Sequence, residues 1–380
     1  MKLLIVNNNM AVGGIQKSLA NLLTETAKYH DVTLMLFSPS GALLSDIPEN
    51  VRILKGNAFT KIMGMSQAEA RADSILTALW RSLWVIASRV FGSGFSYTML
   101  SKMQRIKENY DVSVSYMQNS EQRTFYGGCN EFVLYSTKAP KKISFVHCDM
   151  KNYIGNNPYN IALYKKFSGV ACVSDSCKRV FDEVVPGLKT YSVHNMYDFE
   201  KIAKLSDEYP VILSKDCVNL FTSARISEEK GILRMLPIFE RIKAEGGSFK
   251  WYIAGDGPLY NTAVSDADRG GLGENVIFLG QLKNPYPYFK NADIVLVPSY
   301  NEAAPMVYGE ALCFGTPVFT TDTTSAEEII GEENGWVVKN SDVDIYNQLK
   351  TIIMGNAPIK QINCELTNEK AKAEFEEMLK

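Results

Sequence analysis

The sequence predicts an α/β protein built from two Rossmann-like, doubly wound domains. The 380 residues are too many for one ordinary domain core and suffice for two of roughly 190 residues each. Short apolar runs alternate with segments of helical spacing, and this pattern stops at a polar stretch, 197–217, and then restarts. We therefore place the domains at 1–200 and 201–365.

The expected strands of the first domain are almost continuously apolar, which is typical of parallel strands buried on both faces. A helix over 15–28 follows the first of them, in the βαβ pattern of a doubly wound sheet. The strands are 2–9, 31–38, 51–56, 111–117, 141–148, 168–174 and 189–195.

The second domain repeats the pattern, and a cleft between two such domains is the simplest arrangement for a ligand site. Its expected strands are 218–225, 249–255, 275–280, 293–299, 317–321 and 335–338. A final helix is expected within 366–380, where it either caps the second domain or crosses back to the first.

Composition excludes several classes of protein. With 46% hydrophobic and 22% charged residues the chain should fold as a soluble protein. The apolar run at the N-terminus is too short for a signal peptide, and no run approaches the ~20 residues that a spanning helix needs. Seven cysteines without paired spacing and three histidines without ligand spacing predict a cytosolic protein that ligates no metal.

Charge is unevenly distributed. Residues 1–200 hold 22 Lys and Arg against 16 Asp and Glu, whereas residues 201–380 hold 18 against 26. Most of the positive excess lies in 51–110, so the first domain is expected to meet something anionic. No nucleic-acid-binding pattern accompanies the charge, which argues against a nucleic acid.

The most informative motif, PSYNEAAPMVYGEALCFGTPV, spans 298–318. A buried strand ends at its start, and a short loop then presents Glu302 at the edge where doubly wound sheets bind ligands. Glu310 follows at E-x7-E spacing, about two turns into the next helix. One carboxylate for a sugar and one for a ribose suits a nucleotide-sugar site.

The helix of this motif begins near Pro305, a residue that suits a first turn. The free backbone N–H groups of Met306 and Val307 would face an anion such as a diphosphate.

Two further loops follow strands. In SARISEEKG, 223–231, Arg225 and Lys230 would converge on a leaving diphosphate, or would be two cations on a solvated loop. In NNNMAVGGIQKS, 7–18, Gly13 and Gly14 would let backbone approach a ligand, or would form a plain tight turn. The second loop lacks the GxGxxG pattern, which disfavours a nicotinamide site.

With these motifs the chain resembles glycosyltransferase family 4, a large group of retaining enzymes with the GT-B fold. The resemblance covers essentially the whole chain and is strongest over 218–340. It implies that Glu302 contacts the donor sugar near the reacting carbon, that Glu310 binds the ribose, and that Arg225 and Lys230 bind the donor phosphates. It also implies that the glycine loop at Gly13 and Gly14 meets the donor diphosphate and the acceptor.

The resemblance assigns smaller roles elsewhere. Gly255 belongs to a turn that shapes the donor pocket, and Gly280 and Gln281 recognise the nucleobase through backbone groups. His147, at a strand end, touches the donor sugar or acceptor, or is structural.

One departure concerns the loop after Glu302. The family usually has a glycine and a bulky residue where this chain has Ala303 and Ala304. The backbone contacts from Ala304 to Val307 are expected to persist, whereas the side-chain lining of the sugar pocket differs.

The implied activity is transfer of a sugar, with retention, from a nucleotide sugar of the UDP class to a carbohydrate or lipid-linked saccharide in cell-surface polysaccharide or glycolipid synthesis. No metal or other cofactor is expected. Two alternatives share the architecture: a nucleotide-sugar 2-epimerase and a non-catalytic nucleotide-sugar-binding subunit.

The helical stretch 74–91 has two interpretations. Its wide apolar face, opposite Thr77, Arg81 and Ser88, would pack in the core, or would dock on anionic lipid with Trp and Arg as anchors. The positive charge nearby favours a peripheral membrane contact through 74–107 at the inner face of the cell membrane. That contact would bring the enzyme to a lipid-linked acceptor. The apolar residues are Leu76, Leu79, Trp80, Leu83, Trp84, Ala87, Val90 and Phe91.

Overall fold

The computed structural model describes residues 1–363 and 365–380, and the chain divides into two compact units. Unit 1 comprises Met1–Tyr197 and Asn368–Lys380, and unit 2 comprises Asp198–Thr367. Each contains one parallel sheet with helices, so the predicted α/β class with two Rossmann-like domains is confirmed.

The sheet of unit 1 has seven parallel strands in the order β3-β2-β1-β4-β5-β6-β7. All seven predicted strands are confirmed, each slightly shorter than expected. They are β1 (Lys2–Asn7), β2 (Asp31–Leu36), β3 (Arg52–Lys55), β4 (Val112–Ser115), β5 (Lys141–Val146), β6 (Gly169–Cys172) and β7 (Thr190–Ser192).

Helices connect these strands, and two 3-10 turns, Ala42–Asp46 and Lys61–Gly64, lie among them. The helices are α1 (Gly14–Thr26), α2 (Gln67–Asp73), α3 (Ile75–Phe91), α4 (Ser93–Lys102), α5 (Cys129–Ser136), α6 (Pro158–Tyr164) and α7 (Asp175–Val184).

Unit 2 begins with a helix that the sequence did not predict, α8 (Phe199–Ser206), inside the stretch taken as a polar connector. The Asp198 side chain caps it by accepting a hydrogen bond from the Lys201 amide at 3.0 Å. Ile202, on one face of α8, is buried, and the Asn284 side-chain amide donates to the Leu205 carbonyl at 2.7 Å. A short helix with one apolar residue inward carries too little periodicity to stand out from a connector.

The sheet of unit 2 has six parallel strands in the order β10-β9-β8-β11-β12-β13, and all six predicted strands are confirmed. They are β8 (Val218–Ser223), β9 (Phe249–Ala254), β10 (Val276–Gly280), β11 (Ile294–Val297), β12 (Val318–Thr321) and β13 (Gly335–Val338).

The remaining helices of unit 2 lie between these strands and after them, and a 3-10 turn at Glu228–Lys230 precedes the first. They are α9 (Ile232–Ala244), α10 (Tyr260–Arg269), α11 (Tyr286–Asn291), α12 (Met306–Leu312), α13 (Ala326–Ile329) and α14 (Asp342–Ile353).

The last helix, α15 (Glu369–Leu379), belongs to unit 1. Phe375 and Met378 are buried in the same apolar cluster as residues of β1 and α1. The Glu374 carboxylate accepts from His194 Nδ1 at 2.8 Å, and Lys372 forms an ion pair with Glu25 at 2.5 Å.

Strands of unit 1 are buried on both faces, as their composition predicted. Along β1, Leu3 and Ile5 belong to the cluster that contains α1 and α15, whereas Leu4 and Val6 belong to a second cluster with α4 and α5. Because successive side chains of a strand point to opposite faces, a continuous apolar run satisfies both layers.

Helix α3 corrects the core interpretation of 74–91. Most of its apolar residues point outward, with Leu79 64% and Leu83 55% exposed, whereas Thr77, Arg81 and Ser88 are buried. Trp84 is an exception, since it is buried in the same apolar cluster as α4 and α5 and is not available as an interfacial anchor. The amphipathic pattern was recognised, but periodicity alone does not say which face is inward. Buried hydrogen-bond partners of Arg81 decide it here.

Helix α5 in unit 1 carries a carboxyl group that is completely buried, that of Glu131. Glu131 on α5 accepts hydrogen bonds from the Asn119 amide at 2.9 Å and the Tyr159 hydroxyl at 2.9 Å. Burial raises the pKa of this carboxyl from 4.5 to about 7, because the charged form loses its hydration.

Replacing Glu131 with Gln should stabilise the protein above pH 7 and remove part of its pH dependence. The folded pKa is raised, so folding favours the protonated form. The stabilisation is complete below pH 4.5 and is lost as the pH rises through about 7. The change corresponds to at most roughly 3 kcal/mol. Denaturant unfolding of wild type and Glu131→Gln at pH 5 and pH 8 measures it. Parallel pH profiles for the two proteins would contradict the assignment.

Candidate functional site

In unit 2 the strand order reverses between β8 and β11, which lie side by side in the sheet. Doubly wound sheets bind ligands at the carboxyl ends of strands at such a switch point. The loop after β8 carries Lys230 and the loop after β11 carries Glu302. Their side chains form an ion pair with Nζ and Oε1 2.6 Å apart, so the structure brings these two predicted site residues together.

The Glu302 carboxylate is oriented by a second donor. The Ser299 hydroxyl donates to the same Oε1 at 2.9 Å, and Thr321 at the end of β12 holds the Ser299 carbonyl at 2.6 Å. The side chain of Glu302 is 11% exposed and that of Lys230 24%, so both are shielded but reachable. Loops on three adjacent strands therefore fix the position of this carboxylate.

Backbone contacts hold the two loops together. Gly231 adopts a φ of +68°, and a Cβ there would overlap the Pro298 carbonyl oxygen. The Tyr300 amide donates to the Glu229 carbonyl at 2.9 Å. Only glycine permits this left-handed conformation and close approach without strain, so Gly231 positions Lys230 against the Glu302 loop.

Arg225 lies in the same loop but is 67% exposed at its side chain, and it pairs with Glu229 at 2.6 Å. The loop is joined to the turn after β9, because the Ile226 amide donates to the Asp256 carbonyl at 2.9 Å. The guanidinium is therefore available to an anion, although it does not contact Lys230 or Glu302.

Two glycines of the predicted site, one directly after β9 and one at the end of β10, are hydrogen-bonded to each other. The Gly255 amide donates to the Gly280 carbonyl at 2.8 Å, and a Cβ on Gly255 would overlap the Ala224 carbonyl. Gly280 has a φ of +66° with open space around it, and Gln281 beyond it is exposed. Their assigned role in nucleobase recognition stays a prediction.

The helix after β11 begins one residue later than expected. Pro305 is its N-cap, and Met306 and Val307 are its first two residues, whose N–H groups have no acceptor within a helix. Ala304 lies partly exposed in the preceding loop. Glu310, in the second turn, is 2% exposed.

In unit 1 the strand order reverses between β1 and β4. Gly13 is the N-cap of α1 and Gly14 its first residue, directly after β1. A Cβ on Gly13 would crowd the Gln16 side chain, whereas one on Gly14 would meet nothing within 4 Å. The loop therefore leaves open space beside Gly14, and its contact with a ligand stays a prediction.

His147 follows β5 in unit 1. Its ring packs on Tyr116 at 4.7 Å and on Phe145 at 5.7 Å between centroids. Burial lowers the pKa of the imidazole to about 4, so the ring is neutral near pH 7. Its Nε2 is buried and makes no hydrogen bond to any residue that the structure describes.

The sequence did not single out Gln118 or Ser299. The Gln118 side chain accepts from the His147 amide at 3.2 Å and so fixes the strand end that carries the imidazole. Ser299 could have been found from the sequence, because it is the last residue of the predicted strand and lies three residues before Glu302. Gln118 follows β4, the partner of β1 at the switch point, and the strand order was needed to find it.

Comparison with known proteins bears directly on the unit 2 loops. Residues 212–360 match the family of glycosyl transferases group 1. This segment contains Arg225, Lys230, Glu302 and Glu310, so a likeness to glycosyl transferases is confirmed for it, whereas the narrower assignment to glycosyltransferase family 4 stays a prediction.

Two relatives carry related names. An uncharacterized glycosyltransferase of Methanocaldococcus jannaschii is 32% identical over 153 residues, which are 38% of this chain and 37% of that protein. Alpha-monoglucosyldiacylglycerol synthase of Streptococcus pneumoniae is 31% identical over 116 residues, 30% of this chain and 26% of that protein. The matched region thus spans about a quarter to two fifths of these curated relatives.

Among solved structures, Anabaena Alr3699/HepE in complex with UDP and glucose has a TM-score of 0.64 at 16% identity. The match covers 94% of this chain and 90% of that one. At this identity the likeness establishes the fold, and the GT-B class expected from the motifs is confirmed.

Gly231→Ala should destabilise the protein more than Gly271→Ala does. Both glycines have a φ near +67°, but a Cβ at Gly271 meets nothing whereas one at Gly231 overlaps Pro298. The left-handed conformation alone costs roughly 1–2 kcal/mol, and the overlap should add at least about 1 kcal/mol. Denaturant unfolding of both variants measures the difference. Equal losses would show that the two loops do not depend on this contact.

Proposed function

We propose that the chain is a retaining glycosyltransferase that moves a sugar from a UDP-sugar to a saccharide or lipid-linked saccharide. The observation that carries the proposal is the contact between Lys230 and Glu302 at the switch point of the unit 2 sheet. A cation for phosphate and a carboxylate for the sugar there suit a ligand that is anionic at one end and hydroxylated at the other.

In the proposed complex, residues of different loops would bind different parts of the donor. Lys230 and Arg225 would take the diphosphate, and Arg225, exposed and paired only along its own loop, can turn to it at small cost. Glu310 would accept from the ribose hydroxyls, and the amides of Met306 and Val307 would add donors to phosphate. Lys230 would then exchange part of its contact with Glu302 for the phosphate.

The chemical step would follow from the one carboxylate that we assign to the sugar, that of Glu302. The bond between the anomeric carbon and phosphate breaks as the acceptor oxygen bonds to the same face of that carbon. The leaving phosphate oxygen takes the acceptor proton. Lys230 and Arg225 stabilise the growing charge on the leaving group, and Glu302 stabilises the positive character of the sugar ring. Glu302 would orient and polarise rather than form a covalent bond.

His147 would act as a neutral hydrogen-bonding group. With a pKa near 4 the imidazole is uncharged at pH 7 and is therefore not a general acid there. It carries one N–H and one unprotonated nitrogen, so its buried Nε2 can accept from or donate to a hydroxyl according to the tautomer. We propose that it orients a sugar hydroxyl of donor or acceptor. Glycine at Gly13 and Gly14 would leave room for the same ligand.

The comparisons support the ligand class. UDP and glucose occupy the structure of Anabaena HepE, and the S. pneumoniae relative is named for making a glycolipid. By analogy we propose UDP as the nucleotide, no metal requirement, and a cell-surface polysaccharide or glycolipid as the product. The cytoplasm is the proposed compartment.

Calorimetry across a panel of nucleoside diphosphates and nucleotide sugars tests the donor site. UDP should bind, and Arg225→Ala and Glu310→Gln should each weaken it about tenfold or more, because each removes a hydrogen bond to a charged group. Arg269→Ala is the matched control, since Arg269 is an exposed arginine in unit 2 paired within its own helix. No binding by any nucleotide would overturn the donor site.

Turnover tests the reaction. Incubation with a UDP-sugar and saccharide acceptors, followed by NMR of the product, should give the anomer of the donor, and Glu302→Gln should lower kcat roughly 100-fold. A chelator should leave the rate unchanged.

Three results would contradict this assignment. An inverted product would exclude retention, and conversion of the donor without an acceptor would indicate an epimerase. Binding of UDP with no turnover of any kind would favour a non-catalytic subunit.

A further inference from the structure

Helix α3 in unit 1 presents a stripe of large apolar side chains to solvent. The stripe recurs every three to four residues, so it follows one side of the 17-residue helix. Contiguous exposed apolar surface of this kind marks an interaction site on soluble proteins. Its residues, each more than half exposed, are Ile75, Leu76, Leu79, Leu83, Ile86 and Val90.

The outward orientation of this stripe is fixed from inside. Arg81 is 8% exposed, and its guanidinium donates to the carbonyls of Met65 and Phe125 at 2.8 and 2.9 Å and to the Gln67 side chain at 2.8 Å. The Ser88 hydroxyl donates to Ser96 on α4 at 2.8 Å. If the helix turned its apolar side inward, Arg81 and Ser88 would lose these hydrogen bonds, and several polar groups would be left without hydrogen-bond partners. The exposure is therefore built into the fold.

The apolar surface continues onto α4. Phe91 and Phe95 lie 5.3 Å apart between ring centroids, and Met99 follows one turn later, 40% exposed. These three side chains line an open cavity of about 350 Å³, together with Thr98 and Tyr159. The end of the stripe thus offers an apolar recess as well as a surface.

The segment that carries this surface also holds several cations without anionic partners. In the part of the chain that the structure describes, five exposed Lys and Arg residues between 71 and 107 form no ion pair. The five are Arg71, Arg89, Lys102, Arg105 and Lys107. Of the two acids on α2, Asp73 is paired with Lys61, and Glu69 accepts a hydrogen bond from the Ser66 amide at the start of its own helix.

We infer that the exposed face of α3 and α4 docks on an anionic lipid bilayer. Leucine, isoleucine and phenylalanine side chains would enter the acyl boundary, and the unpaired cations would meet lipid phosphates, which is the chemistry of an interfacial amphipathic helix. Within the described residues no helix is long and apolar enough to span a bilayer, so the contact would be peripheral. This inference does not depend on the proposed transfer reaction.

Two observations favour lipid over a second copy of the chain. A symmetric dimer through this face would bring together two copies of the net-positive segment 51–110, and like charges repel. The cavity lined by Phe91, Phe95 and Met99 can admit an acyl chain, whereas a flat protein surface would leave it empty.

Flotation of the full chain with lipid vesicles tests the inference. Vesicles of phosphatidylcholine with phosphatidylglycerol should carry the protein, those of phosphatidylcholine alone should carry much less, and added salt should release it. Leu79→Asn and Leu83→Asn should each weaken binding about tenfold, since each removes a leucine from the inserted face. Both sites are exposed, so the variants should fold, which circular dichroism verifies.

The matched control is Ile212→Asn, because Ile212 is 91% exposed but lies in unit 2. It should bind vesicles as wild type does. Failure of wild type to float with anionic vesicles would overturn the inference, as would equal losses in control and face variants. Sedimentation provides a further check. A concentration-dependent dimer that Leu79→Asn dissociates, without vesicle binding, would assign the face to a protein contact instead.

Discussion

Burial of parallel strands on both faces is the constraint from which the rest of this structure follows. It requires helices on each side of both sheets. Because the strands of a sheet are parallel, their carboxyl ends all lie at the same edge. Where the strand order reverses, as between β8 and β11, doubly wound sheets bind ligands at the carboxyl ends of the strands. Lys230 and Glu302 meet there although 72 residues separate them in sequence. Their proximity is a product of topology rather than of a local motif.

Around that point the backbone does most of the positioning. Gly231 and Gly255 are pressed against carbonyls of the adjoining loops, and amide hydrogen bonds join the loops after three strands. The side chains that project from this backbone differ in freedom. Glu302 is held by a hydroxyl and an ammonium group, whereas Arg225 extends into solvent. This combination of a fixed carboxylate and an exposed cation is compatible with the donor site proposed above.

Much of this organisation could be predicted from the sequence. Continuous apolar runs located all thirteen strands, because strands buried on both faces leave that pattern, and motif spacing located the loops that converge in unit 2. Three features could not be predicted. Helix α8 is too short for its periodicity to be visible, the outward face of α3 depends on distant carbonyls that hold Arg81, and the link from Gln118 to His147 depends on strand order. Each is decided by tertiary contacts that local patterns do not contain.

The placement of α15 has a consequence for how the chain is made. Because Asn368–Lys380 completes unit 1, unit 2 is in effect an insertion within it. Synthesis proceeds from the N-terminus, so unit 2 can finish folding close to the ribosome. The cluster that needs Phe375 and Met378 stays open until α15 has been translated. Unit 1 is thus begun first and completed last, and until α15 is made the apolar surface that it covers is exposed to solvent.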